Sequence, residues 1–348
     1  MRKYLIKLLD NRVRRNYTGG AGIDCLRGKY PIMDSDQPED WICSTVYAKN
    51  TGLSEIINEG LSSTIIGEDV FLISHLFKSE SEFYLGKNKE LPFLCKLLDS
   101  SMRLHVQAHP TKDFARNFLG SEYGKLECYY ILSIREEIEP YIRLGFQNPP
   151  SKESWKKIIL NQDILSMDQC FENIPVAVGD VWYIPGGIPH AIGEGITMIE
   201  IMEPSDLVVR CEFERDGIIV PKAARFMGKD IDFCLNIFDY NQYSVDEVQE
   251  KFRLKPRVIK STEHFVHEQL VPKSIADSFQ VNKLCIKQDE MIINLSNSPL
   301  VGIVVKGIVC IHTENETIEV KVGESFFIAA AAKKIKFLGT QCEIVYVT

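Results

Sequence analysis

The sequence predicts a mainly β protein with two related β domains and a helical insertion in the first, and two observations lead to this prediction. Residues 299–329 alternate apolar and polar side chains between Gly and polar turns. Such short strands are typical of a sandwich or barrel. Residues 91–213 show a similar pattern, interrupted around 150–173 by apolar side chains at three- and four-residue spacing. That spacing predicts a helical insertion.

The second observation is an internal repeat. Residues 176–185 align without gaps on residues 320–329, and both read V-x-V-G-acid-x-aromatic-aromatic-I. We expect the shared glycine to occupy a tight turn before a strand packed by the aromatic side chains. The repeat predicts a first barrel within 1–255 and a second within 256–348. In the same register His190 lies opposite Lys334, so the second copy lacks a ligand there.

Composition narrows the function classes. The 348 residues carry a net charge of −8, whereas nucleic acids and anionic membranes require a positive face. The amino-terminal MRKYLIKLLD is too short and too charged for a signal peptide, and no apolar run is long enough to span a membrane. Ten cysteines without a CxxC pair indicate neither a disulfide scaffold nor a thiolate zinc site. We expect a cytoplasmic protein that acts on a small molecule; the oligomeric state is not predicted.

Strict alternation over residues 103–109 (RLHVQAH) concentrates polar groups on one side of a strand. Successive side chains of a strand point to opposite faces, so Arg103, His105, Gln107 and His109 would share one face. Two imidazoles, an amide and a guanidinium are costly to bury unless they line a site. This face is therefore a candidate for a functional site.

Further candidate ligands follow along the chain. Lys125 and Glu127 project together from the next predicted strand, and His190 follows a Pro-Gly turn. Each signal alone also fits a solvated ion pair or an ordinary polar residue, but their combination in one β domain favours a metal site. Imidazole, carboxylate and amide groups suit zinc or another borderline divalent ion and leave room for water or substrate. The candidate ligands are Gln107, His109, Glu127 and His190.

At these residues the sequence resembles the type I phosphomannose isomerases, which are metal-dependent cupin enzymes. The family patterns are L-S-I-Q-x-H-P, G-K-x-E-C, P-x-G-x-x-H-A and E-x-x-x-x-S-D-x-x-x-R. Here they read LHVQAHP at 104–110, GKLEC at 124–128, PGGIPHA at 185–191 and EIMEPSDLVVR at 200–210. Their order and approximate spacing match, and the similarity extends through 91–98. The first forty residues and the second barrel are less distinctive.

The resemblance implies two cupin (jelly-roll) barrels, of which only the first is catalytic. It implies a metal-dependent aldose–ketose isomerase that interconverts mannose 6-phosphate and fructose 6-phosphate through an enediol. It also implies one divalent ion, expected to be Zn²⁺, held by Gln107, His109, Glu127 and His190.

The resemblance further implies which side chains act on the substrate. Arg210 is expected to be catalytic and to stabilise the developing oxyanion. Lys125 and Glu200 are both candidates for proton transfer, and the sequence does not choose between them. Lys96 is expected to line the pocket and contact the substrate.

Two departures from the family pattern concern phosphate recognition. His105 stands where the family usually has a serine thought to face the phosphate, so we expect His105 to contact the substrate. A lysine expected after Arg210 is replaced by acids in 211–216, and Arg103 or Arg215 could compensate. Three alternatives therefore stay open: an isomerase of another sugar or sugar phosphate, a non-catalytic sugar-binding cupin, and a metal-dependent dioxygenase, since two histidines and a carboxylate also suit Fe(II).

Overall fold

A computed structural model describes residues 2–295 and 297–348 and confirms the predicted mainly β fold. Two antiparallel sheets form the first barrel. The seven-stranded sheet has the order Arg253–Leu254, Val181–Ile184, Glu127–Ile134, Ile196–Met202, Leu94–Asp99, Glu39–Ile42 and Arg12–Val13. The five-stranded sheet has the order Ile174–Pro175, Tyr141–Leu144, His190–Ile192, Gln107–Ala108 and Val209–Arg210.

A nine-stranded sheet forms the second barrel. Its main path is Leu5–Lys7, Ser325–Ile328, Leu300–Lys306, Lys334–Val347, Val281–Asn294, Phe265–Val271 and Arg257–Ser261. The hairpin of Ile308–His312 and Thr317–Lys321 pairs with Lys334–Val347. Two further hairpins are Ser63–Ile66 with Asp69–Leu72, and Glu214–Arg215 with Ile218–Ile219.

Helices lie between the strands. The predicted insertion contains helices Lys152–Asn161 and Ile164–Asp168, and the Ser151 hydroxyl caps the first by accepting from the Ser154 amide. The remaining helical segments are Ala21–Arg27, Ile73–Ser79, Ser81–Leu85, Lys112–Phe114 continued by Ala115–Leu119, Lys222–Ala224, Ile231–Cys234, Val245–Phe252 and Ala330–Ala332. Among the described residues, no helix combines the length and the apolar character needed to cross a membrane.

The seven-stranded sheet is buried on both faces, and strand alternation divides its side chains between them. Tyr129 and Ile131 pack inside the first barrel, against residues of the five-stranded sheet. Cys128 and Tyr130 point the other way, into a core shared with Val301, Phe327 and other residues of the second barrel. The second barrel therefore covers the outer face of the sheet whose inner face lines the first barrel.

The repeat has the local structure that the sequence predicts. Gly179 and Gly323 both adopt positive φ angles, 91° and 80°, and each precedes a strand. The predicted division of the chain into 1–255 and 256–348 does not hold at the amino terminus. There, strand Leu5–Lys7 pairs with Ser325–Ile328 and so belongs to the second barrel's sheet. The division near residue 255 otherwise stays a prediction.

Residues 221–240 pack against the first barrel. This segment forms only short helices, and its residues Cys234, Leu235 and Phe238 pack against the helical insertion of the first barrel. The chain reaches the second barrel through helix Val245–Phe252 and strand Arg253–Leu254. Apolar residues at helical spacing do not by themselves identify which surface they cover.

Candidate active site

The structure brings the four predicted ligands together between the two sheets of the first barrel. His109, Glu127 and His190 are buried, and their ligand atoms all lie within 4.8 Å of one another. Gln107 is the register partner of His190, and its amide nitrogen lies 3.4 Å from His190 Nε2 and 3.5 Å from His109 Nε2. Rotating the amide by 180° would present its oxygen to the same centre.

Both imidazoles are oriented by the backbone. His109 Nδ1 lies 2.8 Å from the Leu207 carbonyl oxygen, and His190 Nδ1 lies 2.9 Å from that of Ile188. Donation to these carbonyls fixes the tautomer that leaves an Nε2 lone pair facing the centre, as in metal-binding histidines. Burial lowers the pKa of both rings, that of His109 to about 3 with Lys125 contributing. The neutral, metal-binding form is therefore favoured.

Glu127 supplies the negative charge of the centre. Its Oε1 lies 2.9 Å from Lys125 Nζ and 3.1 Å from His109 Nε2, and its Oε2 accepts a hydrogen bond from Tyr129. Burial alone would raise the pKa of Glu127, but Lys125 and His109 outweigh it and hold this pKa well below its usual range. Two neutral imidazoles, one ionised carboxylate and one amide form a donor set that fits a divalent ion such as zinc.

A second buried charge cluster lies beside the centre. Lys96 Nζ is 3.1 Å from Glu200 Oε2 and 3.4 Å from Glu39 Oε2. Glu39 also accepts hydrogen bonds from Tyr17 and, at 2.7 Å, from Trp41 Nε1. Lys96 is thus a buried ion-pair partner on an inward-facing position.

The two carboxyl groups of this cluster differ in acidity. Burial raises the pKa of Glu200 to about 8, with Lys96 opposing the shift and the charge of Glu127 adding to it. For Glu39, burial is outweighed by Arg15 and Lys96, and its pKa falls to about 2. Glu39 therefore stays ionised at neutral pH, whereas Glu200 can gain and lose a proton.

Arg210 and His105 line the same cavity. Neither side chain has a full set of polar partners among the described residues. Within 2–295 and 297–348, Arg210 forms no ion pair with a carboxylate, and its side chain donates to the Ala224 carbonyl oxygen at 2.6 Å. The Nε2 atom of His105 is buried and lacks a hydrogen-bond partner in the same ranges. Burial, followed by the charge of Arg210, lowers the pKa of His105 to about 4, which keeps its ring neutral.

These groups line a polar cavity between the sheets. It is lined by all the predicted metal, catalytic and substrate-contacting residues except His109 and His190. The polar lining residues are Arg15, Asn16, Tyr17, Glu39, Lys96, His105, Gln107, Lys125, Glu127, Tyr129, Glu200 and Arg210.

The two arginines expected to compensate for the missing lysine do not do so. Arg103 and Arg215 each lie 2.6 Å from Oε1 of the buried Glu212, and neither lines the cavity. The sequence analysis instead missed Arg15, Tyr17 and Glu39, which come from the less distinctive first forty residues. An acid two residues before a tryptophan in the short buried strand Glu39–Ile42 was a signal that could have identified Glu39.

Two family models match separate parts of the chain. Residues 15–126 match the phosphomannose isomerase type I catalytic domain, and residues 272–348 match the mannose-6-phosphate isomerase cupin domain. The first match begins at Arg15 and includes Gln107 and His109.

Curated relatives and solved structures agree with these matches. A mannose-6-phosphate isomerase of Streptococcus mutans is 37% identical over 226 residues, which cover 64% of this chain and 66% of the relative. Mannose-6-phosphate isomerase ManA of Bacillus subtilis is 35% identical over 141 residues, 40% of this chain and 43% of the relative. The chain thus spans less than two thirds of the length of these relatives.

Likeness to solved structures extends over the whole chain. The crystal structure of mannose 6-phosphate isomerase from Bacillus subtilis superposes with a TM-score of 0.76 at 20% identity, covering 99% of this chain and 100% of that one. A zinc-bound mannose 6-phosphate isomerase superposes with a TM-score of 0.72 at 16% identity, covering 99% of both chains. At these identities the likeness shows a shared fold.

The convergence of imidazoles predicts that His190→Ala loses metal. The wild-type protein should retain one zinc ion per chain after dialysis, whereas His190→Ala should bind zinc more than about 100-fold more weakly, since even partners of metal ligands contribute about 10–100-fold. Elemental analysis and zinc titration measure this. His312→Ala, in the second barrel, is the control and should keep its zinc. Full occupancy in His190→Ala would remove His190 from the ligand set.

Proposed function

Because this chain belongs to the type I phosphomannose isomerase family, we propose that it is a metal-dependent isomerase interconverting mannose 6-phosphate and fructose 6-phosphate. One observation carries the proposal: two imidazoles converge on the ionised carboxylate of Glu127, which lines the same cavity as a carboxyl group of raised pKa and a guanidinium without an ion-pair partner among the described residues. The substrate is a small sugar phosphate, and the proposed location is the cytosol.

In this proposal Gln107, His109, Glu127 and His190 hold one Zn²⁺ ion. When bound there, such an ion supplies a Lewis acid that polarises the carbonyl and hydroxyl oxygens of an open-chain sugar. The protein fixes the ligands in advance through the backbone carbonyls that orient both imidazoles and through Lys125 and Tyr129, which contact Glu127.

Glu200 is the proton-transfer group that the geometry favours over Lys125. Lys125 lies 2.9 Å from Glu127 and 3.4 Å from His109 Nε2, so its ammonium group is engaged at the ligand set. Glu200 faces the cavity with a pKa of about 8, near the optimum for a group that both accepts and returns a proton at neutral pH.

The proposed reaction moves protons between two carbons and two oxygens. The Glu200 carboxylate takes the proton from C2 as O1 takes a proton from water, which gives an enediol. Glu200 then returns its proton to C1 as O2 gives a proton back to water, which gives the ketose. Arg210 stabilises the negative charge that develops on the oxygens, because a fixed cation is effective in a site shielded from water. Lys125 is placed to donate to a substrate oxygen.

Two further side chains are proposed to hold the substrate. Lys96, between Glu200 and Glu39, keeps Glu200 in position and can donate to a sugar hydroxyl. The buried Nε2 of His105 lacks a partner among the described residues, and a substrate oxygen would satisfy it. The same histidine favours a second candidate function, isomerisation of an unphosphorylated or differently phosphorylated sugar.

A coupled assay tests the proposed activity. Purified protein with one equivalent of zinc should interconvert mannose 6-phosphate and fructose 6-phosphate, because metal and proton-transfer groups share one cavity. A chelator should abolish the activity, and added zinc should restore it. Higher kcat/KM on mannose than on mannose 6-phosphate would favour the second candidate. Saturable sugar binding without turnover at any zinc loading would contradict both.

Arg210→Ala separates the chemistry from metal binding. Loss of the cation that faces the developing oxyanion should lower kcat about 100- to 1,000-fold, the range found for removal of one oxyanion-stabilising group. Zinc content should stay at the wild-type value. Steady-state kinetics and elemental analysis measure the two effects, and Arg253→Ala, a half-exposed arginine of the same barrel paired with Asp180, is the matched control. Wild-type kcat in Arg210→Ala would exclude a catalytic role for this residue.

A further inference from the structure

Arg15 is a buried guanidinium whose hydrogen-bonding capacity is only partly used. Its Nη2 lies 3.2 Å from Asp206 Oδ1 and its Nε lies 3.4 Å from Glu39 Oε1. The contact with Glu39 is an ion pair without a hydrogen bond. In the described part of the chain, neither Nε nor Nη1 of Arg15 has a hydrogen-bond partner. Because unsatisfied buried donors are rare, two on one side chain indicate that a ligand completes the group.

Arg15 lies where two cavities meet. It lines the cavity beside the proposed metal centre and also a second cavity of about 300 Å³, and Arg210 is common to both. The second cavity extends outward past Lys49 and Thr51. A ligand that reaches from the proposed metal centre toward solvent therefore passes both guanidinium groups.

The charges at this junction favour an anion. Arg210 has no carboxylate partner among the described residues, and the charge of Arg15 helps burial to lower the pKa of Arg210 to about 10. Asp206 and Glu39 offset part of the repulsion between these two buried cations, and a bound anion would offset the rest. Guanidinium groups match the oxygens of a phosphate monoester particularly well.

We propose that Arg15 binds the phosphate of the substrate, opposite Arg210, and that Glu39 and Asp206 hold its guanidinium in place. This inference rests on the proposed function and specifies its substrate class as a sugar with a terminal phosphate monoester. It accounts for the missing lysine after Arg210, because Arg15 supplies a cation that the Glu212-bound arginines Arg103 and Arg215 do not provide.

The test compares binding of a phosphorylated and an unphosphorylated open-chain polyol that the enzyme cannot isomerise. Titration calorimetry with sorbitol 6-phosphate and with sorbitol is carried out on zinc-loaded wild type, Arg15→Gln and Arg15→Lys. Loss of a charge-assisted hydrogen bond should raise the Kd of sorbitol 6-phosphate about 10- to 100-fold in Arg15→Gln. The Kd of sorbitol should change less than about threefold.

Arg15→Lys keeps a positive charge beside the buried carboxylates of Glu39 and Asp206. It therefore tests the proposed phosphate contact even if Arg15→Gln does not fold. It should show an intermediate loss for sorbitol 6-phosphate. Arg12→Gln is the matched control, because Arg12 pairs with Asp24 and does not line either cavity. Thermal unfolding and zinc content establish that each variant is folded and loaded.

The outcomes separate this inference from the proposed function. If folded, zinc-loaded Arg15→Lys binds sorbitol 6-phosphate as tightly as wild type, Arg15 is not the phosphate ligand, although wild type can still isomerise mannose 6-phosphate. If wild type isomerises no sugar phosphate but its affinity for sorbitol 6-phosphate depends on Arg15, the phosphate site stands and the proposed function fails.

Discussion

The ionised carboxylate of Glu127 is the group on which the site depends. It is buried, and it contacts the ammonium group of Lys125, the imidazoles of His109 and His190, and the hydroxyl of Tyr129. A buried carboxylate is tolerated only when it is paired and hydrogen-bonded. Its charge also favours the protonated form of Glu200. Burial, to which the charge of Glu127 adds, thus gives Glu200 a raised pKa beside an ionised carboxylate suited to metal binding.

Strand alternation explains how the fold can bury so much charge. Lys96, Glu127 and Glu200 lie on the inner face of the seven-stranded sheet, and each is flanked along its strand by residues of the opposite face. Those outer residues, including Leu97, Cys128 and Ile199, pack against the second barrel. The second barrel, which contributes no residue to the cavity beside the metal centre, therefore secures the sheet that positions the site.

The part of the site nearest the proposed metal centre was predictable because its signal is local. Alternation within 103–109 placed Gln107 and His109 together, and the repeat placed His190 in a barrel. The predicted strand itself is hydrogen-bonded only over Gln107–Ala108, but extended backbone suffices to present the side chains. Arg15 and Glu39 were missed because only tertiary pairing of Glu39–Ile42 with Leu94–Asp99 brings that segment to the cavity.

Charge partners were the least predictable feature. Nothing in the sequence pattern indicated that Glu212 pairs with both Arg103 and Arg215, since the three groups meet only when strands from distant segments come together. Local periodicity thus predicts which side chains are buried, whereas their ion pairs depend on the tertiary fold.

X-ray absorption at the zinc edge tests most directly whether the four side chains hold one ion. The account predicts one zinc ion per chain with only nitrogen and oxygen neighbours at about 2.0–2.2 Å, and with the outer-shell scattering of two imidazoles. Glu127→Gln should lose this signature. Sulfur neighbours at about 2.3 Å, from any of the ten cysteines, or an unchanged spectrum in Glu127→Gln, would contradict it.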